Sequence, residues 1–252
     1  MDTFKDLVNE MNRLVSSADN IDLHLRVFGG LAIYVHSRND TRFFHRESPD
    51  LDFVVPKNER HKLESYFHKM GYSPNKQFNI LNGTHRQIFY HDQVEERRID
   101  ILIGDFEMCH KLPLEGRFNV DTVTIPLTDL FLSKAQVVQL NRKDALDIIS
   151  LLLNNEVGDE ESGGIDLQRI TDLCENDWGL YKTLSINLER VTELVADKDH
   201  SVITDDERTS ILASIQKIQK AIEEMPKSVA WKMRDRVGTR VRWYMEVEEV
   251  EQ

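Results

Sequence analysis

Asp50 and Asp52 stand two residues apart in the run Asp50-Leu51-Asp52-Phe53-Val54-Val55. On a strand, residues two apart share a face, so both carboxylates project to one side while Leu51 and Phe53 turn toward a core. Like charges this close repel, and a shared proton or a divalent cation relieves the repulsion. Upstream, the pair Gly29-Gly30 falls between an apolar lead and the amphipathic run LAIYVHS. Glycines at a strand-to-helix turn let backbone approach a ligand and aim free helix N–H groups at an anion. A third acid, Asp100, sits among isoleucines in RIDILIG. Burial of a lone carboxylate is costly, so Asp100 requires either a cation or an ion-pair partner such as Arg97 or Arg98. Three converging carboxylates, with no Ser, Cys or His nucleophile set beside them, suit phosphoryl chemistry with two divalent ions.

Plain alternatives exist for each part. The chain holds a second Asp-x-Asp, Asp197-Lys198-Asp199, and a second glycine pair, Gly163-Gly164, both in polar surroundings. A solvated strand end and a tight turn would explain such pairs singly. Their combination within one strand, turn, helix and strand unit favours the site.

The elements that must position these residues follow from apolar spacing. Residues 3 to 17 have helical periodicity, and a strand over 22 to 28 enters the glycine pair. A helix over 57 to 70 is stopped by Gly71. Asn82-Gly83 between FNIL and RQIFYH predicts a hairpin, and 98 to 104 a nearly continuous apolar strand. Short strands are expected in 117 to 126, then helices over LTDLFLSKAQVVQL and RKDALDIISLLLN. Residues 155 to 164, acidic and glycine-containing, mark a linker. Beyond it come helices over 165 to 175, 179 to 197, 204 to 225 and 227 to 247, with Thr204 and Glu207 forming a capping box for the third. The expected fold class is α+β: a mixed sheet with flanking helices over residues 1–155, followed by an all-helical domain over 165–252.

The chain of 252 residues has a net charge of −12, which argues against a general nucleic-acid coat protein. No apolar run approaches a membrane span, and the opening MDTFKDLVNEMNRLV is mixed in charge rather than signal-like, so a cytoplasmic protein with no membrane partner is expected. Two cysteines without a CxxC pattern indicate buried thiols rather than a zinc site.

Gly29-Gly30 followed by His45-Arg46-x-Ser48-x-Asp50-Leu51-Asp52 resembles the signature of nucleotidyltransferases related to DNA polymerase beta, particularly the AbiEii-type and minimal nucleotidyltransferases of toxin–antitoxin systems. Lys134 and then Asn141-Arg142-Lys143-Asp144-Ala145-Leu146-Asp147 resemble that group's lysine helix and its Arg-x-Asp-x-x-Asp helix. The likeness covers about residues 23 to 153. It implies a nucleotidyltransferase fold and transfer of a nucleoside monophosphate from an NTP to a hydroxyl of a protein, RNA or small molecule. Gly29, Gly30 and Ser48 would hold the triphosphate with help from Lys134. Asp50 and Asp52 would ligate Mg2+ in a two-metal site, and Asp100 would complete the triad and activate the acceptor hydroxyl. One departure stands out: Leu31 follows the glycine pair where many relatives carry Ser or Thr. Leu31 favours the rival reading, a catalytically silent module that binds nucleotide or a toxin–antitoxin partner.

The last helix carries Lys227, Lys232, Arg234, Arg236, Arg240 and Arg242 around Val229, Met233, Val237 and Val241. Basic side chains covering a buried apolar seam are the simpler explanation, and an edge for an RNA acceptor the sharper one.

Overall fold

The computed structural model of the chain describes residues 4–38, 40, 42–43, 50–95, 97–159, 163–197 and 203–246. Helix α1 (Phe4–Asp19) has the expected spacing and buries Leu7, Met11, Leu14 and Val15. It closes in a tight turn, with Asp22 at φ 52 and the Leu23 amide bonded back to Ala18 O. That turn consumes residues expected to start a strand at Asp22, so β1 is only Arg26–Val27. Next come α2 (Gly29–His36), β2 (Leu51–Val55) and a 3-10 turn (Lys57–Lys62) that runs into α3 (Leu63–Lys69). Gly71, at φ 87, follows the end of α3, as its glycine predicts.

Strand β3 (Tyr72–Pro74), helix α4 (Lys76–Asn82), β4 (Arg86–His91) and β5 (Arg98–Ile103) complete the sheet region. The hairpin expected at Asn82-Gly83 is not formed. FNIL is helical, because the Asn75 side chain caps α4 by accepting from Phe78 N at 3.1 Å. Asn79 then acts like a peptide unit toward β4: its Oδ1 accepts from Ile88 N at 2.8 Å and its Nδ2 donates to Ile88 O at 3.1 Å. Gly83 has φ −64, which no primed hairpin turn uses.

Further along lie β6 (Phe106–Glu107), β7 (Lys111–Leu112), α5 (Leu127–Ala135), α6 (Arg142–Asn154), β8 (Val157–Gly158), β9 (Ile165–Asp166), α7 (Leu167–Asn176), α8 (Trp178–Ala196), α9 (Asp205–Glu224) and α10 (Val229–Val237). The strands expected in 117 to 126 reduce to one extended stretch beside β1, with Val27 N donating to Val123 O at 2.9 Å and Ile125 N to Val27 O at 3.0 Å. Helix α5 stops at Ala135, where Asn187 Nδ2 takes the carbonyls of Ala135 and Val137, each at 2.8 Å. Part of the expected linker is ordered into β8, which pairs in parallel with β9. The capping box at Thr204 and Glu207 is present. Helix α10 is shorter than its sequence suggests, ending at Gly238 with φ 62.

The protein is therefore α+β. Its described residues gather into two compact units, one drawn from Met1–Val35, Phe44–Phe106 and Pro113–Leu130, the other from His36–Phe43, Glu107–Leu112 and Phe131–Gln252. The first holds a mixed five-stranded sheet in the order β1-β2-β5-β4-β3, in which β2 and β5 run parallel and the other neighbours antiparallel. One face carries Leu51, Phe53, Ile99, Ile101 and Phe89 into the core, where Phe89 and Phe67 rings lie 4.7 Å apart. No helix among the described residues is long and apolar enough to cross a membrane.

The second unit packs α6, α7, α8 and α9 around Leu151, Leu184, Leu188, Ile211, Ile215 and Ile218. Cys109 and Cys174 are free and buried, and burial pushes the Cys174 thiol up to about 12. The segment after α10 is fastened to α8: Trp243 Nε1 donates to Thr183 Oγ1 at 3.0 Å, an oxygen that also meets His110 Nε2 at 2.8 Å. Gly179 makes this approach possible, since a Cβ there would lie 2.3 Å from Trp243 O. Gly179→Ala should push the segment off α8 and lower stability by about 1–3 kcal/mol, measured by thermal or urea unfolding. Wild-type stability in that variant would show that the segment does not hold its place in solution.

Candidate active site

The register of the parallel pair brings the acids together. Asp52 of β2 is the direct neighbour of Asp100 of β5, so both side chains stand on the same face while Leu51, Phe53, Ile99 and Ile101 fill the other. Asp100 is only 6 % exposed and Asp52 is half-buried. Asp50 lies just before β2 and is exposed. Asp52 and Asp100 thus stand side by side on adjacent strands, whereas Asp50 lies outside β2, and the three acids are not gathered into one group.

Gly29 and Gly30 are the first two residues of α2, and both are buried. Gly29 has φ 65, a left-handed conformation that glycine adopts at no steric cost. A Cβ on Gly29 would lie 2.4 Å from Asp52 Oδ2, so the carboxylate presses directly on the opening residue of the helix. Phe28 N donates to Asp52 O at 2.9 Å, which locks this turn to β2. The first amides of a helix lack intrahelical partners and favour negative charge nearby. Leu31 is fully buried, so the position after the glycine pair supplies packing to the core.

Sequence reasoning missed Arg86. Its guanidinium makes a two-pronged ion pair with Asp100, Nε donating to Oδ1 at 2.7 Å and Nη2 to Oδ2. Ile88 is the direct neighbour of Asp100 on β4, so Arg86, two residues earlier, reaches the acid diagonally on the same face. Arg98 lies farther off, 3.8 Å from Asp100, and Arg97 is 3.8 Å from Glu10 instead. The ion-pair partner expected in Arg97 or Arg98 is therefore corrected to Arg86 first and Arg98 second. Asp100's hydrogen bond raises the Arg86 pKa above its usual value against the opposing effect of burial, and the charges of Asp100 and Asp52 add to the rise. Arg86 also rests over the Phe78 ring of α4, 5.8 Å from its centroid.

Lys134 belongs to the second unit. Its ammonium contacts Asp144 at 2.8 Å and Asp147 at 3.0 Å, so α5 and α6 are joined by a lysine held between two acids. Burial works to lower the Lys134 pKa, but Asp147 and Asp144 together raise it. Asp144 doubles as part of a cap, its amide donating to Asn141 Oδ1 at 2.8 Å. Ser48, with His45 and Arg46, lies outside the described residues.

Among the described residues, no group of three or more His, Cys, Asp or Glu side chains is gathered to hold a metal ion. The donor pair itself suits a hard cation, because Asp52 and Asp100 offer only carboxylate oxygens from neighbouring strands. A cation there would compete with Arg86 for Asp100. Comparisons with protein-family models, curated proteins and solved structures returned no match.

Proposed function

We propose that the chain is a Mg2+-dependent nucleotidyltransferase that moves a nucleoside monophosphate from an NTP to an acceptor hydroxyl on a protein, RNA or small molecule, as the resemblance to polymerase-beta-like enzymes implies. The observation that carries this reading is the in-register pair Asp52 and Asp100 with the Gly29 backbone pressed against Asp52. Asp50 and Asp52 would hold the Mg2+ that neutralises triphosphate charge, and Asp52 with Asp100 the ion that lowers the pKa of an acceptor hydroxyl. The amides that open α2 at Gly29 and Gly30 would favour the triphosphate's charge once a cation offsets the Asp52 carboxylate beside them. Asp100 accepts the acceptor proton on a carboxylate oxygen once Arg86 releases it, and Arg86 can then turn its charge toward the triphosphate.

A second reading, a silent module that binds nucleotide without transferring it, is favoured by the Arg86–Asp100 ion pair and by buried Leu31. Thermal shift separates binding from its absence. At 100 times its dissociation constant an NTP should stabilise the protein by about 2.7 kcal/mol, in Mg2+ but not in EDTA, and Asp52→Asn should remove the shift. No shift with any NTP, or an equal shift in Asp52→Asn, would sink the site. Incubation with labelled NTPs and cell extract then tells enzyme from silent module by whether label reaches an acceptor.

A further inference from the structure

Two side chains of β4 stand diagonal to Asp100. Ile88 is the acid's direct neighbour, and Arg86 and Tyr90 lie two residues to either side of it, so all three share the acid's face. Diagonal neighbours across a strand pair lie about 7–8 Å apart, within reach of aromatic and long side chains. Arg86 crosses that gap and bonds both oxygens of Asp100. Tyr90 holds the matching diagonal on the other side, 45 % exposed, and its hydroxyl has no hydrogen-bond partner among the described residues. Neighbouring hydroxyls are committed elsewhere. Tyr66 and Tyr72 are buried and donate to Leu14 O and Glu10 Oε1, and Ser73, the direct neighbour of Tyr90 on β3, donates to Asp92 Oδ1 at 2.7 Å. On β5 the direct neighbour of Tyr90 is Arg98, whose Nη2 lies 3.8 Å from Asp100 Oδ2. A guanidinium there supports negative charge developing on a phenol oxygen.

We propose that Tyr90 is itself an acceptor, and that the chain transfers a nucleoside monophosphate from an NTP to its own Tyr90 hydroxyl. The inference rests on the nucleotidyltransferase reading and names the hydroxyl. Sheet order supports it: the Gly29 turn lies between β1 and β2, Tyr90 lies on β4, and the Asp52–Asp100 pair on β2 and β5 stands between them. Phosphoryl transfer places the attacking and leaving oxygens roughly in line, so a triphosphate tail at the glycine turn leaves the β4 side open to the attacking oxygen. The phenol oxygen bonds to the α-phosphorus while the bond from that phosphorus to the oxygen bridging the β-phosphate breaks. Pyrophosphate leaves with the bonding electrons, and the phenol proton passes to an Asp100 carboxylate oxygen. Because Tyr90 and Asp100 belong to one sheet, the reaction runs within a single chain. One transfer fills the β4 side of Asp100, so labelling stops at one nucleotide per chain and closes the site to other acceptors.

The full chain is incubated with Mg2+ and each NTP labelled at the α-phosphate, and the product is mapped by peptide mass spectrometry. One nucleoside monophosphate on Tyr90 is expected, at a rate per chain independent of protein concentration. Tyr90→Phe removes only an exposed, unbonded oxygen, so it should melt as wild type does and carry no label. Asp100→Asn should label about 10²-fold more slowly or worse. A mixture of the two variants should label no faster than Asp100→Asn alone, because one lacks the acceptor and the other the base. Without nucleotide or metal, N-acetylimidazole should acetylate the Tyr90 hydroxyl and spare those of Tyr66 and Tyr72. Label on another residue, faster labelling in the mixture, or a Tyr90 that resists acetylation would overturn the inference. So would the absence of self-label in a protein whose melting temperature NTP and Mg2+ raise. No thermal shift with any NTP would instead sink the nucleotidyltransferase reading, and self-transfer with it.

Discussion

Asp100→Asn should retain most nucleotide affinity and lose transfer activity by about 10²- to 10⁴-fold, the usual cost of removing a positioned general base. The expectation rests on its placement beside Asp52 at the same level of a parallel strand pair. Asn can still accept a hydrogen bond from Arg86, so the fold should survive with a modest fall in melting temperature. If Asp100 serves only its ion pair, the variant instead loses stability while transfer per folded molecule stays unchanged. Arg86→Gln provides the opposite lever. Removing a guanidinium that binds Asp100 through both oxygens should strengthen Mn2+ binding, measurable by water-proton relaxation without nucleotide. It also leaves a carboxylate whose side chain is 7 % exposed without its main partner. A fully buried broken pair costs roughly 3–5 kcal/mol, and exposure of the arginine side should bring the loss below that. Unchanged Mn2+ affinity in Arg86→Gln would mean that no cation competes for Asp100.

Much of this arrangement was legible before any coordinates. The alternation of Asp52 with Leu51 and Phe53 named the face, though Asp50 falls outside the strand, and the isoleucines around Asp100 named a buried strand. What could not be read was the register across strands. Arg86 lies fourteen residues from Asp100 in sequence, and whether it shares the acid's face depends on how residues 92 to 97 turn between β4 and β5. RQIFYH lacks a clean alternation that would have settled it. The failed hairpin has a different cause: Asn82-Gly83 signals a turn strongly, but a side-chain cap at Asn75 and the amide of Asn79 satisfy the same backbone groups in a helix. For α10 the error was one of face. Val229, Met233, Val237 and Val241 give a clear stripe, yet a single tryptophan at 231 with Arg234 on Trp178 buries the other side. One large aromatic removes more area from water than a valine does, so it decides which side turns inward.

The glycine pair offers the strictest test of the geometry, because the two glycines should not behave alike. Gly29 bears the positive φ and the contact with Asp52, whereas Gly30 does not have a positive φ. Alanine in a left-handed conformation costs roughly 1–2 kcal/mol. At position 29 its Cβ would also lie 2.4 Å from Asp52 Oδ2, forcing the carboxylate or the turn to move. Gly29→Ala should therefore destabilise by more than backbone strain alone and weaken Mg2+-dependent nucleotide binding along with it. Asp52→Ala removes the carboxylate that the new methyl would strike. In the double variant the steric part should vanish, leaving the strain, so the two substitutions should couple by more than about 0.5 kcal/mol in the favourable direction. Urea unfolding of the four proteins in the cycle measures this directly. Additive losses would mean that Gly29 and Asp52 do not touch, and the placement of the proposed Mg2+ ligand against the opening of α2 would fall with that contact.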